Sequence, residues 1–558
     1  MYRLVSVNDV RFCSTTHLIL STPLNRCETT LEGFQVRWLR KLVEREYRVH
    51  MTFDQLPVLM RSQELNYAVK GIPVGFKTSM EYAGDGKPHL YLYNHFKFTV
   101  MLHNENGRYL ITGFDVHPVS IDHAADGSTC VSTLPDDDSV ESQGPMNDPN
   151  TYLRLQGTEL RVKYTYEIEW EESDLTWENR WDVYVMNVPD DDIHFFAIVN
   201  SLMIVVFLTG AIATIMTRTL RNDIAAYNEM SLIEDDGEET GWKLVHGDVF
   251  RPPQWNPAIL AICVGTGAQI GSAFFITMLS TLAGLVNPVR KGQTLTAILV
   301  LYVLSGSVNG YLSARISKFS GCKAWKINTL MAATALPGLL VSIFTVLNMF
   351  LSFAGAATAV PFWLLLSIFA LWVCVSAPLV FVGAFVGYRG DLFSTPVRTN
   401  QIARVIPDQP FYTKEPVSYA LGGVLPFGSV CIELFFIMSA LWLHQIYYVM
   451  GFLLAVLLIL AATCAQVSVV MCYLQLCAED HRWWWKSFGN CASAGGYLFL
   501  YALWFLFSRL DLVGVLPVVI YLTYMGMISL CFGLFCGSVG FLCAFWFNKT
   551  IYGALKVD

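Results

Sequence analysis

One carboxylate set in an otherwise apolar run is the first feature of this sequence that could do chemistry. Glu433 lies in Cys431-Ile-Glu-Leu-Phe-Phe436, and 418–441 holds no other charge. A charged group at the centre of hydrocarbon is costly and normally faces a partner or a wet cavity. Gln466, Asn309 and Asn200 are further polar groups within apolar runs. Together they could form a proton or ion site, the chemistry of a secondary transporter or channel. They could equally hold helices together by hydrogen bonds. No internal repeat relates the two halves of the apolar region, which weighs against a transporter. A second pattern is Lys556-Val-Asp558, a compact charge signal that a cytosolic coat could read. The sequence has no H-E-x-x-H, G-x-S-x-G, Walker loop or C-x-x-C pair. Nothing therefore points to catalysis, a metal or a cofactor, and the expectation is that the protein is not an enzyme.

Small residues recur at four-residue spacing: Gly267 with Gly271, Gly306 with Gly310, Gly383 with Gly387, and Gly533 with Gly537. That spacing puts each pair on one helix face, where a neighbouring backbone can approach closely. Such faces pack the bundle internally or grip the spans of other membrane proteins. Trp483-Trp484-Trp485, flanked by Arg482 and Lys486, reads as an anchor at headgroup level. Arg389-Gly390-Asp391 and the sequon Asn548-Lys549-Thr550 are expected on the cytosolic side, where neither functions.

The elements that must position these residues follow from composition. Of 558 residues, 54% are hydrophobic and 15% charged, against about 25% charged in ordinary soluble domains. This excludes a soluble enzyme and a disordered chain. The net charge of −8 argues against nucleic acid, whose phosphates need a basic face. The charge is uneven. Residues 1–193 hold 18 Lys and Arg against 29 Asp and Glu, a net −11; the remaining 19 and 16 give +3. An acidic head precedes a membrane half.

Nine apolar runs are long enough to cross about 30 Å of hydrocarbon: 195–216, 257–285, 294–316, 328–352, 362–387, 418–441, 447–475, 490–508 and 514–546. One set of loops carries sixteen Lys and Arg, from Arg218 to Lys556; the opposite set carries Arg290, Lys291 and Arg509. The basic set is expected in the cytosol. With nine spans, the head then lies in the lumen and the C-terminus in the cytosol. The expected fold is a polytopic α-helical membrane protein with nine transmembrane helices, preceded by a luminal, mainly-β, sandwich-like domain. Its expected divisions are the head at 1–193, the membrane domain at 194–547 and a cytosolic tail at 548–558. In the head, 47–53, 90–102, 109–119 and 160–171 read as strands and 34–46 as a short helix. The stretch 122–150, with Asp136, Asp137 and Asp138 in a row, reads as an acidic disordered insertion. Cys13 and Cys27 are a possible disulfide in an oxidising lumen. The other head cysteine is Cys130, and the remaining eleven of 14 lie in or beside spans.

Several blocks together resemble one family: Asp54-Gln-Leu-Pro-Val58, Gly71-Ile-Pro-Val-Gly-Phe76, Asn94-His-Phe96, the long block 241–253 (GWKLVHGDVFRPP), Pro396-Val-Arg-Thr-Asn-Gln401, Leu425-Pro-Phe-Gly428, Ile432-Glu-Leu-Phe-Phe436, His444-Gln-Ile-Tyr-Tyr448, Cys477-Ala-Glu-Asp480 with the tryptophan triplet, and the final Lys-Val-Asp. This is similar to the nonaspanins, the transmembrane nine superfamily of endomembrane proteins. The resemblance implies a luminal N-terminal domain, nine spans, and residence in Golgi and endosomal membranes. It implies a role in localising client membrane proteins with Gly-rich spans, and retention by coatomer (the COPI coat) through Lys556 and Asp558. The bilayer is then a constant partner. It also implies a cleaved signal peptide and a longer luminal region before about Phe12, so the head reads as N-terminally truncated relative to that pattern.

Overall fold

The computed structural model describes residues 27–554, apart from 55, 63–66, 79–88, 106, 123–151, 158, 178–179, 181–198, 200, 204, 208, 211, 215–216, 219–220, 223–224, 226–240, 287–290, 354–358, 443–449, 511 and 513–514. The backbone divides into an N-terminal unit, Leu4–Pro189, and a C-terminal unit that carries Asp190–Asp558.

The N-terminal unit is built on a six-stranded sheet. Its order runs Cys27–Glu32, Glu159–Glu172, His95–Glu105, Arg108–Val119, Leu59–Ser62 and Tyr67–Lys70. Among the described residues, three two-stranded ribbons accompany it. The long hairpin pairs Glu105 with Arg108. Gly107 has φ +80°, a conformation that favours glycine. Helix α1 (Gly33–Glu44) opens on a capping box between Glu32 and Gln35. Its buried face is Val36, Leu39 and Val43, at the i, i+3, i+7 spacing of an amphipathic helix. That face meets Leu31, Leu92, Leu153, Leu155 and Val162. Asn94 is buried; its amide donates to the carbonyls of Ile121 and Lys163 at 2.8 and 3.1 Å and accepts from the Ile121 N–H at 2.8 Å. The Arg180 guanidinium pairs with Asp54 at 2.7 Å and donates to the Ile111 carbonyl at 3.1 Å. Asp54 and Asn94, quoted from the sequence blocks, thus hold strands and loops of the head together.

The C-terminal unit is a helical bundle. A short apolar helix, α2 (Ser201–Thr214), comes first. Then follow α3 (Pro257–Leu282), α4 (Lys291–Leu304), α5 (Gly306–Phe319), α6 (Trp325–Phe353), α7 (Phe362–Leu371), α8 (Ala377–Arg389), α9 (Glu415–Trp442), α10 (Met450–Cys477), α11 (Trp483–Arg509) and α12 (Val515–Gly553). Helices α4 and α5 run on through Ser305, and a π turn at Trp372–Ser376 joins α7 to α8. Among the described residues the unit therefore has eight helices long and apolar enough to cross a membrane, besides α2. Each overlaps one of the last eight apolar runs, and α2 falls within the first.

Two details were not legible in hydropathy. Pro337 sits inside α6 and has no N–H to give the carbonyl four residues before it. That carbonyl, on Ala333, accepts instead from the Trp372 indole at 3.1 Å. The π turn that carries Trp372 makes this bond, re-satisfying a backbone group freed within the apolar layer. At the other end of the chain, α12 continues past 547 to Gly553. Asn548 is fully buried, and its amide meets the Cys472 thiol at 3.4 Å. The sequon asparagine is thus enclosed in the bundle.

Candidate functional site

Glu433, Gln466 and Asn309 are each engaged with another helix. From α9, Glu433 accepts the Ser201 hydroxyl at 3.0 Å. From α10, the Gln466 amide donates to the Thr209 hydroxyl oxygen at 2.5 Å. Both partners lie on α2, at i and i+8 on one face. Glu433 is 1% exposed, and its Oε2 has no hydrogen-bond partner among the described residues. Asn309 belongs to a separate cluster. Its amide donates to Gln269 Oε1 at 3.0 Å and to the Ala332 carbonyl at 3.2 Å, while Gln269 donates to the Tyr302 carbonyl at 3.0 Å. This ties α3, α4, α5 and α6. The structure brings Glu433 and Gln466 to one helix and leaves Asn309 apart. Asn200 lies outside the described residues.

The glycine faces meet other helices of the bundle. A Cβ on Gly310 would overlap the Val380 carbonyl, and one on Gly383 would overlap the Ser307 carbonyl. One on Gly387 would lie 2.8 Å from the Ala314 Cβ, and one on Gly306 would lie 3.3 Å from Val380 Cγ2. The pairs 306/310 and 383/387 are therefore each other's partners, in the α5–α8 contact. Gly267 faces the Leu534 carbonyl and Gly271 the Phe535 ring, so both pack on α12. Gly533 and Gly537 press on Ala492 and Phe488 of α11. Each of the eight meets another helix of the bundle.

A buried polar cap closes the end of the bundle where basic loops gather, and it draws in the tryptophan triplet with its flanking Arg482 and Lys486. The Asp480 carboxylate pairs with Lys486 at 2.6 Å and accepts from the Arg482 N–H and Nε at 3.0 and 3.2 Å. Lys486 also donates to the Thr413 carbonyl at 3.2 Å. Burial alone would raise the Asp480 carboxyl, but the Lys486 hydrogen bond and charge, with Arg482, hold it below the usual carboxylate range. Asp248 accepts from Arg251 at 2.5 and 3.0 Å and from the Arg404 N–H at 3.1 Å. Arg251 reaches on to the Asn400 carbonyl at 2.7 Å. Burial pushes the His481 imidazole down from its ordinary value, against the opposing pull of Asp248 and Asp480. Trp483 and Trp484 are buried and stacked at 4.4 Å, and Trp483 donates to the Val249 carbonyl at 2.9 Å. The headgroup anchor expected of this triplet is corrected for these two. Residues 242–250 cover that helix end, so the indoles find protein instead of lipid. The charges flanking the triplet were the available signal.

Chemically the cap is a closed set of ion pairs. Among the described residues, no group of three or more His, Cys, Asp and Glu is placed to hold a metal. Lys556, Asp558, Cys13 and most of the 122–150 insertion lie outside the described residues. Of Cys27 only the backbone is described, in the first strand.

Comparison with known proteins fits this architecture. The family profile described as Endomembrane protein 70 matches residues 11–515. Transmembrane 9 superfamily member 10 of Arabidopsis thaliana is 39% identical over 540 residues, covering 95% of this chain and 84% of that protein. Transmembrane 9 superfamily member 2 of Homo sapiens is 37% identical over 558 residues, covering 97% and 82%. Member 4 of Homo sapiens is 37% identical over 572 residues, covering 98% and 87%. No solved structure matches the chain. With its sheet-rich head and its bundle of apolar helices, the chain belongs to the endomembrane protein 70 family, the transmembrane nine superfamily, and is a multi-pass membrane protein of the endomembrane system.

Proposed function

We propose that this protein is a sorting factor of Golgi and endosomal membranes. It recognises client membrane proteins through their transmembrane helices, and coatomer retains it through Lys556 and Asp558. In this reading the head faces the lumen and the basic cap faces the cytosol. The observation that carries it is the engagement of polar groups at depth with other helices: Glu433 with Ser201, Gln466 with Thr209 and Asn309 with Gln269. Such contacts are the chemistry of helix association, because lipid supplies no hydrophobic drive between spans. A conduction path would instead gather these groups into one place, and Asn309 stands apart from Glu433. The sixteen-to-three bias of basic residues supports the orientation.

The test is relocation. Lys556→Ala with Asp558→Ala, in the full chain expressed in cells, moves the protein from Golgi membranes toward the cell surface or later endosomes. Unchanged Golgi residence by microscopy and surface biotinylation would sink the coat-signal role.

A further inference from the structure

We infer that the face formed by Glu433 and Gln466 is the site that takes a client's transmembrane helix, with α2 as its resting occupant. This rests on the sorting role proposed above and names the surface that performs it. Three observations lead there. First, only two of the described side chains of α2 are buried. Ser201 and Val205 are buried, while Leu202, Met203, Val206 and Phe207 are 48–76% exposed. Second, the hold is by hydrogen bonds. The α5–α8 contact is so close that a methyl group on Gly310 would overlap backbone, whereas α2 is held by Ser201 on Glu433 and Thr209 on Gln466. Hydroxyls eight residues apart are easily matched by another span. Third, Glu433 Oε2 is buried and without a partner among the described residues. The site therefore offers one more hydrogen bond than α2 uses. A polar atom left unsatisfied within the apolar layer favours any occupant that satisfies it.

The partner this fits is an apolar helix carrying Ser or Thr two turns apart, or an Asn or Gln at the Glu433 level. Exchange leaves the rest of the bundle intact, because the glycine contacts among α3, α5, α8, α11 and α12 do not involve α2. Sorting by this site reads a hydroxyl pattern in the client span, in competition with the protein's own α2.

The experiment uses the full chain co-expressed with three single-span reporters. One has a polyleucine span with Ser and Thr eight residues apart. The second has leucine at both places. The third has leucine with glycine pairs and no hydroxyls. Co-purification in mild detergent is the readout. The hydroxyl reporter is captured and the leucine reporter is not. Ser201→Ala with Thr209→Val weakens the resting occupant and raises capture about fivefold, the order expected for two interhelical hydrogen bonds. Glu433→Leu with Gln466→Leu reduces capture to the leucine level. The gain from the first pair is one that a misfolded chain cannot give. Capture of the hydroxyl reporter that ignores both pairs, or equal capture of the leucine reporter, overturns the assignment. If the glycine reporter is captured equally by all variants, sorting stands and this site fails. If no reporter is captured by any variant, both fail.

Discussion

Burial and a neighbouring cation act in opposite directions on the Asp480 carboxyl, and the cation wins. Its folded-state pKa lies below the ordinary value of about 3.9. The ion pair's stabilisation is therefore complete above that value and is lost as pH falls through the lower folded one. At neutral pH the weakness lies elsewhere: either partner left alone is a buried, uncompensated charge. Asp480→Asn should cost ~3–5 kcal/mol, seen as a lower thermal unfolding midpoint of the purified protein. Asp480→Leu combined with Lys486→Met should recover most of it, because well-packed apolar replacements of a buried pair are often neutral. Residue types were legible in sequence, but pairings were not. Glu433 announced itself by its charge within an apolar run, yet Ser201, its partner 232 positions away, had no mark beyond a hydroxyl.

Between elements, glycine spacing was readable and partner choice was not. The pairs 306/310 and 383/387 stood out separately, and only the packing of α5 on α8 makes them one contact. Backbone atoms bound that contact, so a new side chain cannot be accommodated by a rotamer change. Gly310→Ala is expected to destabilise the bundle by ~1–3 kcal/mol, as overpacking does. Gly496→Ala is the control, because nothing lies within 4 Å of where its Cβ would stand. Thermal unfolding of the two variants in the same detergent compares them directly. Hydropathy located the apolar runs because each is a local property of about 20 residues. The Ser305 junction and the Trp372–Ser376 π turn escaped it, since both leave the apolar run unbroken.

At the scale of the molecule, the cap fastens pieces of chain that lie far apart in sequence. Asp248 sits between Arg251 and the Arg404 backbone, and the Asn400 N–H bonds the Gly247 carbonyl at 2.9 Å. Asp248→Ala removes the centre of that arrangement. Limited trypsin digestion of the full protein should then cut after Arg398 and Arg404 several-fold faster, with digestion elsewhere in the bundle unchanged. No local pattern could have shown this cap, because its loops meet only once the helices have packed; the block 241–253 marked its place and not its contacts. The cap also fixes the far end of α12, where the Tyr552 hydroxyl donates to the Trp242 carbonyl at 2.8 Å and the ring is buried. A fully extended chain gains at most about 3.6 Å per residue. Counted from Gly553, Lys556 can reach only ~11 Å and Asp558 ~18 Å from that anchor. In the proposed coat role, a subunit that contacts Lys556 and Asp558 comes down onto the cap itself, so the shape of the cap becomes part of what is read.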